Sequence, residues 1–283
     1  IALTRQTLSE ADQRIAQSIR ESIVILIVIL GILLFLFFHH ARIIDYTALY
    51  RKLKEVNELK DDFISMASHE LRTPLTVIRG YIEQLKDQAK EGKVSDAEAL
   101  KRIDTSAIGL SRLIEDMLDV TKIEQGRMSF DLQVTDPRAV LMEVCESLRG
   151  VAAAKGLTIK SDVTEGMHIN ADVDRVRQIF VNLVGNALKY SDNGEVTLEG
   201  RVHDAQCVIR VSDTGIGMGA EEQKKLFGKF HRASGERVRS ETGTGLGLWI
   251  TKQLIEAMDG KISVESIKVF GSHFIASFPI AKG

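Results

Sequence analysis

The most pronounced hydrophobic pattern in the chain is an uncharged run, SIVILIVILGILLFLFF, from Ser22 to Phe38. About 17 residues at the ~1.5 Å rise of a helix span roughly 25 Å, slightly less than the ~30 Å hydrocarbon core of a bilayer. We therefore expect residues 22–38 to form a transmembrane helix. Residues 1–21 are too long and too acidic for the start of a signal peptide, and the helical spacing of Leu8, Ala11, Ile15 and Ile19 predicts the end of a longer, truncated region.

Positive charge is distributed unevenly around this run. Four basic residues follow it closely and two precede it: Arg42, Arg51, Lys52 and Lys54 against Arg14 and Arg20. Because basic residues favour the cytoplasmic side of a span, the part of the chain after residue 38 is predicted to be cytoplasmic. The chain is thus expected in the inner (plasma) membrane, with membrane lipid as one partner.

Two helical patterns follow the apolar run. Leu49, Leu53, Val56 and Phe63 recur at coiled-coil spacing, which predicts a juxtamembrane signalling helix over residues 39–60 that pairs with a second chain. Ser95 and Glu98 form a predicted capping box that starts another helix. The apolar face of that helix consists of Ile103, Ile108, Leu110, Leu113, Ile114 and Leu118. Residues 61–126 are therefore predicted to form a helical hairpin, two copies of which make an all-α four-helix bundle in a homodimer.

The pattern changes after about Arg127. Strand-like segments, MSFDLQV and EVTLEGRV among them, alternate with helical ones, and Asp136 with Pro137 marks one helix start. Residues 127–283 are therefore predicted to form an α/β two-layer sandwich. The fold class of the whole chain is multidomain, with a transmembrane helix, a helical bundle and this sandwich.

Net charge and cysteine spacing restrict the partners and the metal or disulfide sites that the chain can have. The 283 residues carry a formal net charge of −2, so there is no basic bias toward nucleic acid, and we predict no nucleic-acid partner. Cys145 and Cys207 lack paired spacing and lie in the part predicted to be cytoplasmic. We expect both to be buried small residues rather than a disulfide or metal ligands.

The first candidate for chemistry is His69, in the segment FISMASHELRTPL. Helical spacing turns Phe63, Met66 and Ala67 toward a partner helix and leaves His69 accessible. Imidazole is nucleophilic at neutral pH, and an adjacent carboxylate, here Glu70, could fix its tautomer. Pro74 lacks a backbone donor and should bend the helix. A solvated surface histidine without function is the alternative that this segment by itself leaves open.

A second group of polar residues suits a nucleotide. Asn182 and Asn186 are one helical turn apart, and an amide oxygen together with phosphate oxygens can hold Mg²⁺. Lys189 could meet phosphate charge, and Tyr190 could lie against a base. A solvated polar face would explain Lys189, but it explains Asn182 poorly because Asn is a weak helix former.

Two glycine clusters follow. Asp213, Gly215 and Gly217 come directly after the apolar run CVIRVSD, where the carboxylate could accept a hydrogen bond from the amine of adenine and the glycines allow close approach. A tight turn is the alternative. Gly243, Gly245 and Gly247 precede the helical segment LWITKQLIEAM, whose first amides could bind phosphate. Residues 218–242 between the clusters are predicted to form a lid, with Phe227 and Phe230 either as its anchors or as simple packing.

The motifs occur together in a recognisable order. FISMASHELRTPL resembles the phosphoacceptor box of two-component sensor histidine kinases, and RVRQIFVNLVGNALKYS, VSDTGIGM, LFGKFHR and GTGLGLWI resemble their N, first glycine, phenylalanine and second glycine boxes. The resemblance covers about Val56 to the C-terminus. It implies catalytic roles for His69, Glu70 and Thr73, with Asn186 as the Mg²⁺ ligand. The ATP-binding residues that it implies are Asn182, Asn186, Lys189, Tyr190, Asp213, Gly215, Gly217, Phe230, Gly243, Thr244, Gly245, Leu246 and Gly247.

The resemblance also sets expectations for the reaction. ATP-hydrolysing relatives, such as gyrases and Hsp90-type chaperones, carry a glutamate where this chain has Asn182, and an amide is no general base. The chain is therefore expected to phosphorylate His69 from Mg-ATP and to pass the group to an aspartate of a separate response regulator. The pattern H-E-x-x-T implies that Thr73 supports phosphatase activity toward that regulator. Two alternatives remain, an ATP-hydrolysing machine and a non-enzymatic membrane scaffold, and whether phosphorylation occurs within or between protomers stays open.

One segment departs from the family pattern. The last glycine box of these kinases usually has two glycines before Ser or Thr, whereas VFGSHF has Gly271 with Ser272. The sequence therefore assigns no definite role to Gly271.

Overall fold

The computed structural model of the chain describes residues 2–90, 96–231 and 244–281. The chain divides into two compact units, residues 1–65 and 66–283. Helix α1 (Ala2–Lys90) supplies all described residues of the first unit and the first ones of the second.

In the first unit, the segment Gln17–His40 is helical and has a mean hydropathy of 3.0. Within the described residues it is the one helix long and apolar enough to cross a membrane. Its large apolar side chains, from Ile23 to Phe38, are exposed. In the predicted coiled-coil seam, Leu53 is exposed, whereas the side chains of Leu49, Val56 and Phe63 lie outside the described ones.

Helix α2 (Ala97–Glu124) begins one residue later than the sequence predicted. Its N-cap is Asp96, whose Oδ1 accepts hydrogen bonds from the amides of Glu98 at 3.0 Å and Ala99 at 3.3 Å. The prediction of Ser95 as the cap was therefore wrong, and Ser95 itself lies outside the described residues. An aspartate at this position satisfies two of the amides that a helix start leaves without partners.

The predicted apolar face of α2 is divided in the structure. Leu113 is buried, but Ile108, Ile114 and Leu118 are exposed in the single chain. A further apolar side chain near the start of the helix, Leu100, is also exposed. One surface of α2 therefore lacks cover within the protomer, as a dimerising helix requires.

The rest of the second unit is an α/β domain, in which Asp136 caps a helix whose first residue is Pro137, as predicted. Its elements are β1 (Gln133–Thr135), α3 (Pro137–Ala154), β2 (Thr158–Val163), β3 (Ile169–Ala171), α4 (Val173–Tyr190), β4 (Glu195–His203), β5 (Gln206–Asp213), α5 (Ala220–Lys225), α6 (Gly247–Ala257), β6 (Lys261–Ile267) and β7 (Gly271–Pro279).

Five strands form one sheet in the order β2-β4-β5-β7-β6, in which β2 and β4 are parallel and the other pairs antiparallel. Burial alternates along β5, so that Cys207, Ile209 and Val211 face the core. Helix α4 contributes Ile179, Phe180 and other apolar residues to the same core. Each such fully buried side chain stabilises the fold by about 1.5–3 kcal/mol. This is the predicted two-layer sandwich.

A small second sheet differs from the prediction. The strand expected over MSFDLQV is limited to Gln133–Thr135, which pair antiparallel with β3. Strand β3 has three residues and can therefore pair with only three residues of β1. Both cysteines are buried, as expected, and both are free.

Candidate active site

His69 lies on α1 with its side chain 76% exposed, as the sequence predicted. Glu70 is adjacent and more buried, and its Oε1 lies 3.8 Å from His69 Nδ1. This distance exceeds that of a hydrogen bond but permits electrostatic attraction. A side-chain rotation could bring the two atoms together, and the orienting role of Glu70 therefore stays a prediction.

Thr73 and Pro74 follow His69 within α1. The hydroxyl of Thr73 donates a hydrogen bond to the carbonyl of His69 at 3.3 Å and is exposed. Pro74 lies inside the helix and has no N–H to donate to the carbonyl of Glu70 one turn earlier. The backbone beside the histidine is thus weakened, and the predicted bend stays a prediction.

Asn182 and Asn186 lie half-buried on one face of α4, as their spacing predicted. Asn182 Nδ2 donates to Thr251 Oγ1 of α6 at 2.8 Å, and Asn186 Nδ2 approaches Asn182 Oδ1 at 3.4 Å. Gly247 packs directly on this amide, because a Cβ on Gly247 would lie 2.6 Å from Asn182 Oδ1. Asn182 therefore links α4 to α6 inside the domain. It does not belong to a solvated polar face.

The end of α4 holds the two further predicted residues. Lys189 Nζ lies 5.1 Å from the centroid of the Tyr190 ring, and both side chains are half-buried. Lys155, which the sequence analysis missed, donates from its Nζ to the carbonyls of Leu188 at 3.0 Å and Lys189 at 3.2 Å. Its charge stabilises the C-terminal end of the helix dipole and holds this segment in place.

Asp213 ends β5 and is 7% exposed. Its Oδ1 accepts hydrogen bonds from the amides of Gly215 at 2.8 Å and Ser272 at 3.2 Å. Burial raises the pKa of the Asp213 carboxyl, although these two hydrogen bonds and His273 act in the opposite direction. With both bonds on one oxygen, the second oxygen can accept a hydrogen bond from a ligand.

Gly271 has the role that the sequence left undefined. Its φ is +105°, and a Cβ there would lie 1.9 Å from the carbonyl oxygen of Asp213. A glycine is therefore required where β7 begins beside Asp213. The adjacent amide of Ser272, also missed by the sequence analysis, then reaches the carboxylate.

The first glycine cluster is held closely by neighbouring backbone. A Cβ on Gly215 would lie 2.3 Å from the Tyr190 carbonyl oxygen, and one on Gly217, where φ is +60°, would lie 1.9 Å from the Ile267 carbonyl oxygen. Ser266 Oγ accepts a hydrogen bond from the next amide, that of Met218, at 2.8 Å. The loop is thus more constrained than an ordinary tight turn.

The second cluster leads into α6. Gly245 has a φ of +68° and packs on the backbone of Phe230, which itself has a φ of +60°. Thr244 Oγ1 accepts a hydrogen bond from the amide of Leu246 at 3.2 Å. Leu246 is fully buried and its carbonyl accepts a hydrogen bond from the amide of Ile250 at 2.8 Å, so its contact with ATP stays a prediction. Gly243 and residues 232–242 of the predicted lid lie outside the described residues.

These contacts gather most of the predicted ATP-binding residues in one place. The end of α4, the loop after β5, the start of β7 and the start of α6 meet there through the pairs Asn182–Gly247, Tyr190–Gly215 and Asp213–Ser272. Among the described residues, no hydrogen bond or ion pair joins His69 to this group. A nucleotide site and a separate exposed nucleophile are the parts that phosphoryl transfer between two domains requires.

The comparison with known proteins finds the same two parts, a phosphoacceptor domain and an ATPase domain. Residues 59–126 match the family model "His Kinase A (phospho-acceptor) domain", and residues 171–282 match "Histidine kinase-, DNA gyrase B-, and HSP90-like ATPase". Sensor protein GacS of Pseudomonas syringae pv. syringae is 36% identical over 235 residues. That match covers 81% of this chain but 26% of GacS, so the chain spans about a quarter of its relative's length.

Two solved structures share the arrangement. Full-length ShkA in complex with AMPPNP is 28% identical with a TM-score of 0.55, over 79% of this chain and 46% of ShkA. Histidine kinase ThkA in complex with the response regulator protein TrrA shares the fold, with a TM-score of 0.56 at 24% identity over 82% of this chain and 65% of that one. The matches to the phosphoacceptor domain and the ATPase domain, in this order, and the similarity to GacS identify the chain as a member of the sensor histidine kinase family.

Proposed function

We propose that this chain is the signalling part of a membrane-anchored sensor histidine kinase that transfers the γ-phosphoryl group of Mg-ATP to His69. The observation that carries the proposal is the set of contacts that brings Asn182 to Gly247 and Asp213 to Gly215, in a chain whose exposed His69 lies in another domain. The experiment is incubation with γ-labelled ATP, after which label should be found on wild-type protein and be lost in His69→Gln.

In this proposal ATP binds through its base at Asp213. The free carboxylate oxygen accepts a hydrogen bond from the exocyclic amine of adenine, while Gly215 and Gly217 let the neighbouring loop pack against the carbonyls of Tyr190 and Ile267. The ring of Tyr190, beside Lys189, offers an apolar surface and a cation at the same end. The bound ATP analogue in the ShkA structure supports ATP as the nucleotide.

The donor set fits Mg²⁺. Asn186 offers one amide oxygen, and within the described residues no cluster of three or more His, Cys, Asp or Glu side chains could form a metal cage. A site with one protein oxygen suits Mg²⁺, which keeps water ligands and shares phosphate oxygens. When bound, the ion would neutralise charge on the phosphates, and Asn186 would hold it.

In the transfer step, the free imidazole nitrogen of His69 attacks the γ-phosphorus, the bond to the β–γ bridging oxygen breaks, and ADP leaves. Glu70 holds the proton on the other nitrogen after a small rotation. Asn182 cannot take a proton from water, and its amide is already bonded to Thr251, which argues against the ATP-hydrolysing alternative. The arrangement of Asn182, Asn186 and Asp213 in the described part of the nucleotide site argues against the scaffold alternative.

The phosphoryl group then passes to an aspartate of a separate response regulator, and the ThkA–TrrA complex supports such a partner. Thr73 positions a water for dephosphorylation of that regulator, since its hydroxyl is exposed one turn after His69. Thr73→Ala should therefore lose phosphatase activity and keep autophosphorylation. Measured regulator dephosphorylation at the wild-type rate would refute this role.

The active form is a homodimer. Ile108, Ile114 and Leu118 are exposed on α2, and a partner's helices would cover them in a four-helix bundle. Ile114→Glu should shift the mass in solution from dimer to monomer, as measured by light scattering. A dimer of unchanged stability would place the interface elsewhere.

The anchor is the segment around residues 22–38, with the kinase domains in the cytoplasm beside the inner membrane. The exposed apolar helix Gln17–His40 and the basic residues after it support this placement. Residues 39–60 would connect the anchor to a phosphotransfer domain over residues 61–126 and an ATP-binding domain over residues 127–283. Extraction of the protein from membranes by alkaline carbonate, rather than by detergent alone, would contradict the anchor.

A further inference from the structure

Helices α4 and α6 are joined by a buried hydrogen bond. Thr251 is 1% exposed, and its Oγ1 accepts from Asn182 Nδ2 at 2.8 Å across 69 positions of sequence. Thr251 lies one helical turn after Gly247, where an added Cβ would lie 2.6 Å from the other end of the same amide, Asn182 Oδ1. The Asn182 side chain is thus held from two sides.

In this structure the Asn182 amide directs its Nδ2 toward the hydroxyl of Thr251. With Nδ2 committed to Thr251, Oδ1 is directed to Asn186, whose Nδ2 lies 3.4 Å away. An amide has a donor end and an acceptor end, so fixing the first amide biases the second. The donor end of Asn186 faces Asn182, and its oxygen is therefore free on the opposite side.

We propose that Thr251 is a positioning residue that keeps the oxygen of Asn186 presented to Mg²⁺. Thr251, Asn182 and Asn186 form what we call the amide relay. Without the hydroxyl of Thr251, the Asn182 amide can reverse, and Asn186 then presents an NH₂ group, which repels a cation. The inference rests on the proposed nucleotide site, and it assigns a role in the reaction to a residue that contacts neither ATP nor metal.

The test compares four proteins: wild type, Thr251→Val, Thr251→Ser and Thr135→Val. Valine has the shape of threonine without the hydroxyl, and serine keeps the hydroxyl. Thr135 is a matched control because it is also buried, at 5% exposure, and its Oγ1 bonds the carbonyl of Ala171 at 3.2 Å. It lies in β1, outside the nucleotide site, so Thr135→Val reports the general effect of losing a buried hydroxyl.

The readout is binding of AMPPNP to the full chain in detergent, first in EDTA and then across a Mg²⁺ titration. Thr251→Val should raise the Mg²⁺ concentration for half-saturation about tenfold, the lower end of the range for removal of outer-shell partners. AMPPNP affinity in EDTA should stay at the wild-type value. Thr251→Ser and Thr135→Val should both keep the wild-type Mg²⁺ dependence.

Two results would overturn the relay. One is an unchanged Mg²⁺ half-saturation in Thr251→Val. The other is an equal loss of AMPPNP affinity with and without Mg²⁺, which would indicate general distortion of the site. The proposed function fails separately, if wild type binds Mg-AMPPNP but does not carry label from ATP on His69.

Discussion

Arg175 of α4 reaches Asp119 of α2, with 3.3 Å between Nη1 and Oδ2. Gln178, nearly one turn further along α4, donates to the same oxygen at 2.8 Å, and Asp119 is 6% exposed. Lys229 makes a second connection, as it pairs with Glu124 and lies 4.6 Å from the centroid of the Trp249 ring. Helix α2, which follows the helix of His69, is therefore joined to the ATP domain by a largely desolvated charge pair and a second cation contact.

Removal of the Asp119 carboxylate should loosen this junction. Asp119→Ala removes the shared acceptor of Arg175 and Gln178, which keep their mutual hydrogen bond at 2.8 Å, and breaking such a buried ion pair costs about 3 kcal/mol. Hydrogen exchange should accelerate at the C-terminal part of α2. The control is Glu143→Ala, which removes the exposed partner of Arg177 between α3 and α4 and should cost less than about 1 kcal/mol. Equal rates of hydrogen exchange in α2 of Asp119→Ala and Glu143→Ala would mean that the junction does not stabilise α2.

Asp213→Asn should change nucleotide preference. The variant can keep an oxygen toward the amides of Gly215 and Ser272, but its other atom becomes an NH₂ group that faces the amine of adenine. ATP affinity should fall by about 100-fold, as expected when a buried charged hydrogen bond is replaced by two opposed donors. The affinity for inosine triphosphate, which has a carbonyl in place of that amine, should fall much less. Equal losses for both nucleotides in titration calorimetry would exclude a contact to the base.

Gly271→Ala tests the close approach beside Asp213. The added Cβ would meet the Asp213 carbonyl oxygen at 1.9 Å, so the backbone must shift and nucleotide affinity should fall along with thermal stability. Gly126→Ala is the matched control, since Gly126 has a φ of +62° but no atom within 4 Å of an added Cβ. Gly126→Ala therefore has the cost of placing alanine at a positive φ, about 1–3 kcal/mol, without a steric clash. Normal ATP binding in Gly271→Ala would contradict this role.

Asp116 on α2 should make stability depend on pH. Burial, followed by the charges of Asp119 and Glu115, raises its pKa from 3.8 to about 6, against the opposing effect of Arg112. The folded state therefore binds the proton more tightly, and this contribution, complete below pH 3.8, is lost as the pH rises through about 6. Asp116→Asn stays neutral and should gain stability over wild type as the pH rises.

The gain should be on the order of 1 kcal/mol, a value reduced for the partial exposure of Asp116. Urea unfolding midpoints at about pH 3 and about pH 7.5 measure it, because that window contains both pKa values, 3.8 and about 6. A difference between variant and wild type that does not change with pH would show that the Asp116 charge is not disfavoured in the folded protein.

Local sequence patterns predicted much of this fold for physical reasons that operate over a few residues. The strand-like segment EVTLEGRV became β4 and the apolar run CVIRVSD became β5. Asp136 with Pro137 marked the start of α3, and the i, i+4 spacing of Asn182 and Asn186 put both on one face of α4. The error at Ser95 has a similarly local cause. Two neighbouring residues could both cap α2, and Asp96 accepts the two amide hydrogen bonds.

The contacts that the sequence did not predict join distant segments. Ser272 reaches Asp213 across 59 positions, and Lys155 reaches Leu188 across 33. No periodicity of a single sequence encodes such pairs, because they depend on how the sheet and helices pack. The strand predicted over MSFDLQV failed for the same reason, since the length of β1 is set by its partner β3.

The central claim is that His69 accepts the phosphoryl group of ATP. The direct measurement is incubation of wild type, His69→Gln and His203→Gln with γ-labelled ATP and Mg²⁺, scored as acid-labile, alkali-stable label on the protein. His203 is the matched control, because it is 77% exposed and its Nδ1 lies 3.2 Å from Asp204 Oδ2. We predict label on wild type and His203→Gln and none on His69→Gln. Label that persists in His69→Gln, or release of free phosphate from an unlabelled wild type, would contradict the claim.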